Sequence, residues 1–125
     1  MSGGRGINGL GWTRDARRAR ARGARGAGVE TQTVAREVVI EPGANTGWHY
    51  HHVPIDVRVR AGTLTRILHD GERVVSEPGE TFVEPAGTDR VHIGHNFGTT
   101  PVVLWIEYVL PPGKVFAVPA ARPCC

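Results

Sequence analysis

The sequence predicts an all-β domain, a small antiparallel β-barrel carrying a disordered Arg/Gly-rich N-terminal tail. Three observations predict it. Short β-branched runs recur along the chain, Pro-Gly or Asp-Gly pairs punctuate them about every eight to twelve residues, and no segment has the apolar spacing of a long amphipathic helix. Several of the runs are too apolar to leave as open sheet edges, which argues for closure. A length of 125 residues leaves room for one domain.

Residues 1–28 hold seven arginines against the single acid Asp15, and Trp12 is their one aromatic. Such a segment has too little to bury to offset the entropy of ordering, so it reads as a disordered basic tail. The net charge of +3 is therefore misleading: residues 29–125 carry eight basic and eleven acidic side chains. A mildly acidic domain does not read as a nucleic-acid binder, and only the tail offers weak attraction to a phosphate backbone.

No apolar segment follows the N-terminal arginines as a secretory or twin-arginine signal would require, and no stretch is long enough to cross a bilayer. A cytoplasmic protein without membrane partners is expected. The only cysteines, Cys124 and Cys125, are adjacent and terminal, so no disulfide framework is available. The domain is expected over residues 29–118, with 119–125 as a C-terminal tail.

Within the domain, Thr31–Glu41 is β-branched and ends at Pro42-Gly43; Gly47–His51 is a short extended piece. Asp56–Ala61 alternates strictly, with Val57 and Val59 on one face and Arg58 and Arg60 on the other. Gly62 breaks the run before Thr63–His69, and Asp70-Gly71 turns it into Arg73–Ser76. Glu77-Pro78-Gly79 leads to Glu80–Glu84, and Pro85-Ala86-Gly87 leads to a loop and Val91–Gly94. Pro101–Leu110 is the most apolar run. The expected core is Val38, Ile40, Val57, Val59, Leu64, Ile67, Phe82, Val103, Trp105 and Val109.

Five of the six histidines lie in two windows, His49-Tyr50-His51-His52 and His92-Ile93-Gly94-His95. On a strand, His49 and His51 leave the same face roughly 6.5–7 Å apart at Cα. Imidazoles so spaced can converge on one ion with metal–nitrogen bonds of about 2.0–2.2 Å. His52 has the opposite parity. His92 joins them only if its strand lies alongside, and His95, an odd number of residues away, then faces elsewhere.

The flanks extend the pattern. Gly43, five residues, His49-Tyr50-His51 and then Gly62 are followed by Gly79, five residues, Pro85-Ala86-Gly87, His92 and, after three intervening residues, Asn96. Both runs, in order, resemble the two motifs of the cupin family, and the resemblance covers about Val34 to Leu110. It implies a small single-domain cupin of the conserved-barrel type: a double-stranded β-helix, jelly-roll-like, in which the two motifs meet inside the barrel. His49, His51 and His92 are implied as metal ligands, and a homodimer is implied, with Thr31–Glu41 and Pro101–Leu110 as candidate edges.

Two departures stand out. The acidic ligand of the first motif falls on Ile55; Asp56 serves only under a looser spacing or with a bulge. The loop between Gly87 and His92 is also two residues longer than the motif's. Asp56 and Ile55, with Asn96, Tyr50 and Trp48, complete the candidate pocket, and the fourth ligand is expected to be absent.

A three-histidine site suits Fe, Ni, Zn, Cu or, less well, Mn, and leaves two or three positions open. Without a carboxylate it keeps the full ionic charge, which favours a small anionic substrate. All-histidine cupin sites resemble those of thiol and diketone dioxygenases. The reading is thus a metal-binding cupin, a mononuclear oxygenase or isomerase if an enzyme. The alternative is a non-catalytic small-molecule-binding module, a sensor or accessory protein, with or without metal. Serine-triad chemistry and phosphate loops find no support: the only serines are Ser2 and Ser76, and the glycines punctuate strands.

Overall fold

The structure, a computed structural model, describes residues 31–123. The basic tail over 1–28 and the Cys124-Cys125 pair lie outside the described residues. Nine strands and no helix occur among the described residues: β1 (Gln32–Ile40), β2 (His49–Tyr50), β3 (Ile55–Ala61), β4 (Leu64–Ile67), β5 (Arg73–Ser76), β6 (Thr81–Glu84), β7 (Ile93–His95), β8 (Val102–Leu110) and β9 (Val118–Pro119). All pairings are antiparallel. They form a four-stranded sheet ordered β1-β8-β3-β6, a three-stranded sheet ordered β5-β4-β7 and a two-stranded ribbon of β2 and β9. Isolated bridges Asn45↔His95 and His49↔His92 stitch the strand-poor wall together.

The inner faces of the sheets form the core. Ile55, Val57 and Val59 alternate inward from β3, and Val38 and Ile40 from β1. Leu64 faces them from the second sheet. From β8 the inward residues are Val102, Leu104, Ile106 and Tyr108. This corrects the expected core, because Val103 and Trp105 are only half-buried and Val109 is 50% exposed. In a run apolar at all positions but one, the parity signal rests on Glu107 alone, which shares the outer face with Val103, Trp105 and Val109, and a one-residue error flips every side chain. Ile67 and Phe82, also placed in the core, are half-buried.

Two local features set the barrel's shape. A bulge interrupts the β3–β8 ladder between Val59 and Ala61, and Gly62 follows with φ +77°. A Cβ at Gly62 would lie 2.5 Å from the Pro101 carbonyl oxygen, so the chain can pass β8 this closely only without a side chain. Between β4 and β5, Asp70 accepts a hydrogen bond from the Glu72 N–H at 3.0 Å, and Gly71 N–H donates to Leu68 O, closing the expected turn.

The strand β8 lies between β1 and β3, so it offers no free edge, whereas β1 ends its sheet. The sequence reading places no strand after Leu110. In the structure the chain returns, β9 pairs with β2, and Ala120 N–H donates to Trp48 O at 3.0 Å. That two-residue ribbon has no hydrophobic periodicity to betray it.

Candidate metal centre

His49 and His92 exchange backbone hydrogen bonds, N–H to O, at 2.9 Å in both directions. Residues directly opposite in an antiparallel bridge project to the same face. Their rings therefore meet, with centroids 4.4 Å apart, although the residues are 43 positions apart in the chain. His51 follows on the same face as His49, its ring centroid 4.9 Å from His49 and 5.1 Å from His92. Gly87 N–H donates to His51 O at 2.9 Å, which pins the Pro85-Ala86-Gly87 turn to the histidine strand. All three histidines are buried.

The outer nitrogen of each ring faces a backbone carbonyl. Nδ1 of His49 lies 2.9 Å from Gly47 O, that of His51 2.9 Å from Phe116 O and that of His92 2.8 Å from Arg90 O. A carbonyl only accepts, so each Nδ1 is the protonated nitrogen, and in a neutral ring Nε2 is then left with its lone pair. The lengthened loop before His92 has a use here: it turns through Arg90 N–H to Gly87 O and presents the Arg90 carbonyl that orients the ring.

The fourth member of the cluster is Glu84, on β6. Its Oε1 lies 3.1 Å from His51 Nε2 and 3.2 Å from His92 Nε2. One potential ligand atom from each of His49, His51, Glu84 and His92 falls within a group no wider than 4.8 Å. Two ligands on opposite sides of an ion about 2.1 Å away would be about 4.2 Å apart, so small inward shifts complete a coordination sphere. Three imidazole lone pairs and a carboxylate would repel one another without a cation among them. The donor set fits a divalent metal.

Glu84 corrects the expectation of a carboxylate-free site. It is the register partner of Ile55 in the β3–β6 ladder, so the two share a face of the sheet. An acidic group at that place in the barrel comes from the neighbouring strand. A signal for it existed in the sequence: Phe82 and Glu84 have equal parity in Glu80–Glu84, so an inward Phe82 carries Glu84 inward.

Asp56 is exposed on the outer sheet face, where it pairs with Val83 and Glu107, and it does not reach the cluster. Ile55 is buried core. Asn96 is buried but structural: its side-chain amide donates to Ile40 O and Thr100 O at 2.9 and 2.8 Å and accepts from Gly98 N–H. Tyr50 packs on His52, a ring centroid 5.6 Å away, and Trp48 lines a separate surface groove near His69 and Arg122. His95 stacks on Phe97.

The electrostatics follow from burial and proximity. Burial, reinforced by His92 and His51, takes His49 down to a pKa of about 3, so it stays neutral. Burial alone would raise Glu84, but the neighbouring His92 and His51 hold it well below the usual carboxylate range. Burial would lower His92, yet the Glu84 carboxylate raises it on balance. In the absence of metal, the site thus holds its negative charge with protons on the imidazole side. A bound metal would take the place of the His92 proton.

A buried His-Glu cluster that could hold a metal ion, set inside an antiparallel barrel, defines a class of small β-barrels. Within it, the chain matches the cupin domain over residues 36–109 and belongs to that family. The fold is similar to that of a double-stranded β-helix protein from Klebsiella pneumoniae, with 22% identity, a TM-score of 0.58 and 71% of each chain covered. It is also similar to the polyketide cyclase RemF from Streptomyces resistomycificus, at 18% identity and TM-score 0.58, covering 78% of this chain and 76% of that one. The DMSP lyase DddQ from Ruegeria pomeroyi has 16% identity and a TM-score of 0.61 over 72% of this chain, which spans 44% of the lyase. At these identities the likeness is one of fold. No curated protein matches the chain in sequence.

Proposed function

We propose that the protein is a mononuclear metal-dependent cupin acting on a small molecule, with one divalent transition metal held by His49, His51, Glu84 and His92. One observation carries the reading: all three Nδ1 atoms face backbone carbonyls, which turns three Nε2 lone pairs toward one carboxylate. Carbonyl contacts of this kind fix tautomer and ring orientation at metal-ligating histidines. Three nitrogens and one oxygen suit Fe, Ni, Zn or Mn, and leave two positions open if the ion is octahedral. When bound, the metal supplies a Lewis acid and a template that orients the substrate.

The chain's own residues shape the space around it. Phe116 packs on His51 with ring centroids 5.0 Å apart and on Tyr108 at the same distance, walling one side of the site against water. The cavity beside the cluster is small and lined largely by apolar side chains, among them Ile55, Val57, Phe82 and Phe116. The chemistry inferred is an oxygenase or isomerase reaction on a small substrate. A lyase and a cyclase share the fold, so the reading of a barrel that acts on a small molecule has precedent in it.

Elemental analysis of untagged protein, with zinc titration after chelation, tests the reading. One equivalent of metal is expected in the wild type and less than a tenth in His49→Ala; a wild type that takes up no metal overturns it. Oxygen uptake by the Fe(II) form then separates turnover from binding alone, and a loaded protein that converts nothing belongs to the binding-module reading. A homodimer is expected through the β1 edge, and the mass in solution checks it.

A further inference from the structure

Arg66 is a cation inside the barrel that the metal ligands do not explain. It faces inward from β4 with Leu64, is 7% exposed, and lines the same cavity as His49, His92 and Glu84. Its guanidinium carbon sits 3.6 Å from the centre of the Phe82 ring, which holds the group flat against one wall. Its Nη1 is 3.9 Å from Glu84 Oε2, beyond hydrogen-bond distance. Its Nε is buried with no hydrogen-bond partner. A guanidinium carries five N–H donors in a planar fork, and buried donors are almost always satisfied.

The charge count points the same way. Glu84 removes one unit from a divalent ion, and Arg66 restores it, so the loaded cavity holds a net charge of about +2 among neutral imidazoles and apolar walls. A low-dielectric space with that excess favours an anion. Glu84 turns Oε1 to the histidines and Oε2 to Arg66, so the guanidinium borders the histidine cluster across a single carboxylate.

We propose that Arg66 is the anion-binding arm of the site. It takes the carboxylate of a small substrate whose adjacent hydroxyl, enol or thiol oxygen or sulfur reaches the metal. This rests on the metal-dependent reading above. A guanidinium fork matches a carboxylate with two parallel hydrogen bonds, and the Phe82 ring behind it sets the plane.

The test uses full-length protein loaded with Co(II), whose visible spectrum reports its ligands, titrated with glycolate and with ethylene glycol, the neutral counterpart of equal size. Cobalt content is measured separately in wild type, Arg66→Met and Arg66→Lys. The expected result is one cobalt in all three, a spectral shift with glycolate and none with ethylene glycol. Glycolate should weaken at least about tenfold in Arg66→Met, as loss of a charge-assisted bond requires, and less in Arg66→Lys. Glycolate binding within twofold of wild type in Arg66→Met overturns the proposal, as does equal response to ethylene glycol or no response to glycolate. Cobalt loss in both variants would make Arg66 a positioning residue for Glu84 and also overturns it. Failure of the wild type to bind cobalt is distinct, since it removes the metal site itself. If Arg66→Met does not fold, Arg66→Gln replaces it under the same criteria.

Discussion

Glu84 and Ile55 stand opposite each other on neighbouring strands, and that single pairing decides the charge of the barrel interior. The carboxylate comes within 3.2 Å of the Nε2 atoms of His51 and His92 from one strand of the ladder, while the isoleucine packs into the core from the other. If position, and not strand identity, is what the ion requires, the acid can be moved across the ladder. Glu84→Ala should weaken zinc binding by at least the ~10–100-fold that outer-sphere partners contribute, because a direct ligand is lost. Ile55→Glu in the Glu84→Ala background should recover a measurable part of it, read by competition with a chromogenic chelator. No recovery would mean that the carboxylate works only from β6. The histidines were legible because an H-x-H on a strand fixes their faces, and His92 because the second motif keeps its spacing to Asn96. Glu84 was hidden by the search for an acid in the first motif, although its parity with Phe82 was open to view.

At the scale of elements, legibility followed alternation. The strand β3 alternates Val and Arg, and its buried positions are the expected ones; β8 is apolar at every position but Glu107, and its inward face is the opposite of the expected one. Ile106→Ala should therefore cost ~2–5 kcal/mol of stability, as a buried large-to-small change does, while Val109→Ala, half exposed on the other face, should cost well under that. Urea midpoints of the two variants check the parity directly. Turns show a similar contrast. Gly62 and Gly71 both have positive φ, at 77° and 88°, so alanine at either is strained by about 1–2 kcal/mol. Only at Gly62 does a Cβ also meet backbone, at 2.5 Å from Pro101 O, whereas the space around Gly71 is open. Gly62→Ala should lower the midpoint much more than Gly71→Ala, since backbone cannot rotate away as a side chain does. Equal losses would show that β8 shifts to make room. Gly62 and the Asp70-Gly71 pair located both turns; the close approach behind Gly62 depends on β8 lying next to β3, a long-range fact no local pattern holds.

For the molecule as a whole, the buried ionisable cluster links folding to pH, and the signs can be worked out group by group in chelated, metal-free protein. His49 has a folded pKa of about 3 against 6.5 unfolded, so its contribution is complete above 6.5 and is lost as pH falls. The loss grows by up to ~1.4 kcal/mol per pH unit, because the unfolded chain binds a proton that the folded one refuses. Glu84 is held below its ordinary value of 4.5, so its contribution is also lost on acidification, beginning below that value. His92 runs the other way: its folded pKa is raised above 6.5, so its contribution is complete below 6.5 and disappears as pH rises through the folded value. Between 4.5 and 6.5 His92 is therefore constant, and His49 sets most of the slope, joined by His95, which partial burial and the nearby Arg73 also lower. Metal-free stability should peak close to neutral pH, fall steadily toward acid, steepen below about 4.5, and decline more gently on the alkaline side. Denaturant midpoints from pH 4 to 9 read this curve, and His49→Asn should flatten the limb between 4.5 and 6.5. Zinc should remove the alkaline decline, since the ion replaces the proton that His92 and Glu84 share and is held more firmly as pH rises. An alkaline limb that persists with zinc bound would place the ion elsewhere than between His92 and Glu84.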